Sequence, residues 1–196
     1  MPEAFLGHVK RLCGEEAGAT ILAKLSQLQL PFPLTIFKGK VKEIVDEYLV
    51  SGELGDALEQ LADLKEPRWG HEVVKRIVVT ALEKKNAERE SASVLLSGLT
   101  RTYGSEQFFE GFIRTLRGID DLALDTPNVC PLLANFIARA IADDCLPPIF
   151  ISLVPKKVVE VGKGAEVASL VKNLLEQHGS SERIMNVWGV GARRLV

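Results

Sequence analysis

Pro127-Asn128-Val129-Cys130-Pro131-Leu132-Leu133-Ala134-Asn135-Phe136-Ile137-Ala138-Arg139-Ala140-Ile141-Ala142 reads as a helix without a clean polar side. Leu132, Leu133, Phe136, Ile137 and Ile141 recur at three- and four-residue spacing and spread over more than one face. Such a helix belongs inside a protein, so this one is expected to be the most buried element of the chain. Pro147-Pro148 bars its continuation. At its other end stands Asp120-Asp121-Leu122-Ala123-Leu124-Asp125, an acidic junction followed by Thr126-Pro127. Thr126 is expected to cap the apolar helix through its hydroxyl, with Pro127 at the first helical position, where it loses no hydrogen bond.

Working outward, helical periodicity runs almost everywhere and strand alternation is scarce. Phe108, Phe109, Phe112, Ile113 and Leu116 predict a strongly apolar helix before the acidic junction. Glu88 to Tyr103 predicts another, with Val94, Leu95 and Leu99 inward and Gly98 marking a close approach of a second helix. Gly70 to Lys85 carries Val73, Val74, Ile77, Val78 and Leu82. Leu54, Leu58, Leu61 and Leu64 form the stripe of a short helix, with Ala57 beside it. Val41, Ile44, Val45, Tyr48 and Leu49 form the stripe of the helix before that, closed by Gly52 in a left-handed conformation. Pro31-Phe32-Pro33 separates this series from residues 3 to 29, which read as one or two helices.

Beyond Pro148 the pattern weakens. Val158, Val159 and Val161 are the only patch with a strand alternative, a helix is expected from Ala165 to Gln177, and Glu182 to Trp188 reads as a short one. Trp188 is expected to pack the tail back onto the domain. Consecutive helices with short turns predict an all-α, HEAT-like stack of antiparallel helical hairpins. Its expected divisions are an N-terminal helical segment at 1–34, the main domain at 35–152, and a C-terminal helix and tail at 153–196. A short echo between Pro2–Leu6 and Pro147–Ile151, each followed by an apolar helix, suggests that residues 2–29 close an earlier copy of the same module.

Composition excludes several functions. A chain of 196 residues that is 46% hydrophobic supports a folded core. A net charge of −2 and 6% aromatic residues leave neither a basic footprint nor a stacking platform for nucleic acid. Cys13, Cys130 and Cys145 are scattered, which fits a reducing compartment. The first residues carry no secretory pattern, and no apolar run approaches a membrane span. An intracellular location is expected, in the cytoplasm and extending to the nucleus.

Catalytic and metal motifs fail one by one. His71-Glu72-Val73-Val74-Lys75 has the outline of a zinc helix but places Lys75 where the second ligand belongs. Gly162-Lys163-Gly164 lacks the rest of a phosphate loop, and no Ser or Cys sits in a nucleophile motif. Neither catalysis nor a cofactor, metal, small molecule or membrane partner is expected. The remaining candidate is the acidic junction. If Asp121 and Asp125 share a helical turn, their spacing puts both on one face, suited to an Arg or Lys of a partner. The plainer alternative is a solvated junction whose acids are favoured near a helix N-terminus. Trp69 is a secondary interface candidate.

Three of these stretches resemble the MA-3 domain. Val45-Asp46-Glu47-Tyr48-Leu49-Val50-Ser51-Gly52-Glu53 is similar to its opening motif. Leu122-Ala123-Leu124-Asp125-Thr126-Pro127 and Phe136-Ile137-Ala138-Arg139-Ala140-Ile141-Ala142-Asp143-Asp144 are similar to its later junction and helix. The resemblance covers residues 36 to 152 and is nearest to the programmed cell death protein 4 family and the plant multi-MA-3 translation regulators. It implies a non-catalytic module that binds the DEAD-box RNA helicase initiation factor 4A and regulates, by inhibition, translation initiation. It places the helicase contacts on Asp121 and Asp125; Asp120, Glu53 and Trp69 are added here as further candidates for the same contact. One complete domain and no basic N-terminal region are visible here, and a single copy is expected to bind more weakly than a tandem pair. A HEAT-like scaffold for another protein is the competing reading.

Overall fold

The computed structural model describes residues 34–176 and 180–189, and the chain divides into two compact units, Met1–Leu34 and Thr35–Val196. The helices expected at 3–29, the Pro2–Leu6 half of the echo and Cys13 lie outside the described residues. Within the second unit the architecture is all-α, with eleven α-helices and no strand among the described residues. They are α1 (Leu34–Ser51), α2 (Leu54–Asp63), α3 (Gly70–Leu82), α4 (Asn86–Gly98), α5 (Ser105–Arg117), α6 (Ile119–Asp125), α7 (Val129–Ala142), α8 (Phe150–Leu153), α9 (Lys156–Val159), α10 (Gly162–Glu176) and α11 (Ser180–Met185). Single 3-10 turns at Pro67–Trp69 and Leu99–Arg101 join α2 to α3 and extend α4.

The core follows the apolar periodicity. α7 is the central element, burying Val129, Leu133, Phe136, Ile137 and Ile141 together with four small residues and Arg139. Helices α3, α4, α6, α10 and α11 all pack against it. α3 and α5 form the closest pair. Gly111 is the reason, since a Cβ there would stand 2.7 Å from Val74 Cβ and 2.9 Å from the His71 carbonyl oxygen. Gly98 serves the expected purpose in α4, where a Cβ would meet the Leu58 side chain of α2 at 3.1 Å. Gly52 adopts φ +77° and ends α1, donating its N–H to the Tyr48 carbonyl.

Several expectations change. Val94 is only half-buried, and Leu96 takes the inward position beside Leu95 and Leu99. The valine patch is no strand: Lys156–Val159 is a single helical turn, and Val161 is 72% exposed. The acidic junction is itself a helix, α6, rather than a connection. Thr126 caps nothing with its side chain. It ends α6 in an extended conformation (φ −126°, ψ 92°), as the residue before a proline is constrained to do. α7 then starts at Val129, without a side-chain cap from Asn128, so Pro127 lies in the turn rather than at the first helical position. Pro131 sits in the first turn of α7, where its missing N–H has no helical acceptor to lose.

Trp188 closes the described fold as expected. It is 2% exposed, stacks at a tilt on Phe136 of α7 (centroids 4.7 Å apart), and donates Nε1–H to Ser93 Oγ at 3.0 Å. Ser93 passes its own proton to the Arg89 carbonyl, so both buried polar groups are satisfied. Arg139 anchors the same segment. Its guanidinium reaches Glu90 on α4, Asp143 at the end of α7 and the Met185 carbonyl of α11, at 2.8 to 3.1 Å. Among the described residues no helix is long and apolar enough to cross a membrane. Cys130 and Cys145 are buried free thiols.

Candidate functional site: the acidic helix and its neighbouring cleft

α5 ends at Gly118, and α6 begins at the next residue. Ile119 (3% exposed) anchors α6 to the core, and Leu122 and Ala123 are half-buried beside it. The inward side being taken, Asp120, Asp121, Leu124 and Asp125 are exposed. Asp121 and Asp125 are one turn apart on the same helix, which meets the geometric condition for a shared face. None of the three carboxylates forms an ion pair among the described residues. Asp120 and Asp121 lie in the first turn, where the helix dipole favours them; Asp125 is the last helical residue, where it does not. Leu124, 83% exposed, stands between the acids on this surface.

Asp121 also lines a cleft of about 300 Å³ between α1, α3, the end of α5 and α6. Its other charged walls are Lys38, Glu72, Lys75 and Arg76. Glu72 is the buried member, 8% exposed, and is met by Lys38 Nζ at 3.1 Å and Arg114 Nη1 at 2.9 Å. The imidazole beside it is oriented by Gln107, whose Oε1 lies 3.0 Å from His71 Nδ1 and also accepts the His71 backbone N–H. The His71-Glu72 pair of the sequence motif is thus committed to this network. Burial pushes the Glu72 carboxyl up, but the Lys38 hydrogen bond and the charges of Lys38, His71 and Arg114 together outweigh it and hold the pKa below the usual range.

A carboxylate with a depressed folded pKa contributes stability that is present above its unfolded value, near 4.5, and lost as pH falls through the folded value. Melting temperatures of the parent and Glu72→Gln are therefore expected to differ most at neutral pH. The gap should narrow below about pH 4.5. A constant gap from pH 7 to pH 3 would show that the charge is not what Glu72 contributes.

The remaining candidates stand apart from this cleft. Trp69 is half-buried, edge-on to Phe37 of α1 at 5.1 Å, with the Arg68 guanidinium 4.5 Å from its ring centre. Glu53 is exposed at the start of α2 and borders a separate cavity of about 60 Å³ with Tyr48 and Asp56. Neither lines the Asp121 cleft. Sequence reasoning missed Leu124, Lys75 and Arg76. Leu124 was legible as the residue three after Asp121 on the outward side of a short helix. Lys75 and Arg76 were not, because nothing local says that α6 lies across from that part of α3.

The fold and this surface define a HEAT-like α-hairpin module. The MA3 domain family model matches residues 37–147, more than half of the chain, and the chain belongs to that family. It is 40% identical over 159 residues to MA3 domain-containing translation regulatory factor 4 of Arabidopsis thaliana, covering 80% of this chain and 25% of that protein. It is 34% identical over 161 residues to factor 1 of the same plant, covering 82% and 23%. With programmed cell death protein 4 of Gallus gallus it shares 32% over 163 residues, covering 83% and 35%. The chain thus spans about a quarter to a third of the length of these relatives.

Proposed function

We propose that this chain is a non-catalytic protein-binding module that docks on the DEAD-box RNA helicase initiation factor 4A and restrains translation initiation. The observation that carries this is the surface of α6, where two exposed carboxylates one turn apart lack ion-pair partners among the described residues. Asp125 adds to it, because a carboxylate in the last turn opposes the helix dipole by about 0.3–1 kcal/mol. A residue kept against its local preference points to a role outside folding. In this reading Asp121 and Asp125 receive basic groups of the helicase, while Asp120 and Leu124 border the contact. The names of the relatives, translation regulatory factors among them, support the same reading. The module acts in the cytoplasm and the nucleus.

Titration of the chain into initiation factor 4A, at low and high salt, tests this. Asp121→Ala/Asp125→Ala is expected to weaken binding roughly 30-fold or more, since each truncation leaves a partner cation unpaired. The double variant should melt close to the parent, because neither carboxylate holds an ion pair among the described residues and the dipole effects at Asp121 and Asp125 oppose each other. Salt-sensitive parental binding lost in a folded double variant establishes the site. Absence of parental binding would leave a scaffold for another protein.

A further inference from the structure

We infer that the contact surface extends from α6 into a charge-reversed groove between α1 and α3, which takes an acidic and apolar segment of the same protein partner. This rests on the proposed docking at Asp121 but adds a second half to it. The cleft that Asp121 borders has a positive excess on its opposite wall. Lys38 is spent on Glu72, which Arg114 also neutralises. Lys75 and Arg76 are left half-buried, and neither forms an ion pair among the described residues. Two cations held in a concave wall are worth more to an anion than two on an open surface, because less water screens them.

The cleft does not end there. Arg76 and Val79 also line a second cleft of about 360 Å³, further along α1 and α3. Its lining sets Leu49 and Val50, the latter 91% exposed, among the paired Lys42 and Asp46 and the charged Glu83, Lys84 and Glu88. From α6 the groove therefore presents acid at Asp121, then base at Lys75 and Arg76, then a wall of mixed charge in which Val79 and Val50 are the apolar patches. A partner whose basic side chain meets Asp121 brings its neighbouring residues over Lys75 and Arg76. Like charges there would be repelled, so those neighbours are Asp or Glu, followed by an apolar residue against Val50. The partner's recognition segment is thus mixed in charge, and a uniformly basic surface does not fit.

The test has two arms on the full chain. In the first, initiation factor 4A is titrated with the parent, Lys75→Glu/Arg76→Glu, Asp121→Ala/Asp125→Ala and, as a distant charge control, Lys157→Glu. Circular dichroism verifies that each variant is folded, and Lys75→Gln/Arg76→Gln replaces any charge-reversed variant that is not. Charge reversal in the groove should weaken binding about tenfold or more, with Lys157→Glu unchanged. Parental binding that is insensitive to both groove variants overturns the inference and leaves the α6 contact standing.

The second arm uses a synthetic peptide of alternating Glu and Leu, followed by amide chemical shifts of the isotopically labelled chain. Shifts at Lys75, Arg76, Val79 and Val50 that vanish in the groove variant support the inference even if the helicase does not bind at all, which would overturn only the partner. If the helicase does not bind and the peptide moves none of these amides, the groove itself is refuted.

Discussion

Arg139→Ala is expected to destabilise the domain by about 3–5 kcal/mol, the range for removing one member of a buried ion pair. The side chain of Arg139 is 5% exposed, and those of Glu90 and Asp143 are 12% and 9% exposed. Deleting the guanidinium therefore leaves two poorly solvated carboxylates facing each other and the Met185 carbonyl without its donor. A small domain has about 5–15 kcal/mol in total, so the loss consumes a large part of it. Urea denaturation followed by circular dichroism measures the change. Arg139→Lys should recover only part, because an ammonium does not span Glu90, Asp143 and Met185 as a planar guanidinium does. Replacing all three charges at once, with Arg139→Met, Glu90→Gln and Asp143→Asn, should cost less than Arg139→Ala alone. That ordering would identify the stranded charges, rather than the lost attraction, as the source of the effect.

Trp188→Ala carries the second large effect, about 3–5 kcal/mol for emptying a large aromatic site. The indole fills the space against Phe136 and roofs Ser93. Trp188→Phe should retain most of the packing and lose about 1 kcal/mol with the Nε1–H bond to Ser93. Arg139 and Trp188 hold the same segment, Ser180–Gly189, one through α11 and the other through the turn after it. Their losses are therefore expected to be less than additive in a double-mutant cycle, since releasing the segment once removes both contacts. Full additivity would show that the two contacts act independently.

Both effects bear on the binding surface through α7. That helix carries Phe136 and Arg139 in its second half and meets α6 at its beginning. Asp121 and Asp125 are thus presented by a short helix that is seven residues long and has little stability of its own. Its orientation is set by Ile119 in the core and by α7, α5 and α10 packed around it. Weakening the core is expected to reduce binding only as far as it unfolds the domain, and this separates core variants from those in α6.

While α6 reads only as a junction, the sequence by itself determined the helices α1 to α5 and α7, the burial of α7, the stop at Gly52, the close approach at Gly98 and the inward turn of Trp188. Each follows from periodicity, propensity or size, properties that neighbouring residues reveal. It also singled out Asp121 and Asp125, because an i, i+4 pair belongs to a single helix. Tertiary structure decided what depends on distant partners. Thr126 looked like a cap, yet the proline after it forces an extended backbone, and that conformation ends α6 instead. Val158 and Val159 left a strand alternative open, but the described residues contain no second strand to pair with and the two close a single helical turn. In the sequence Lys75 stood out only at the second ligand position of a failed zinc motif, and Arg76 not at all. Only the packing of α3 between α1 and α5 sets them across from Asp121. Charge is read from composition, but whether a charge is neutralised or left facing a groove depends on which helices are brought together.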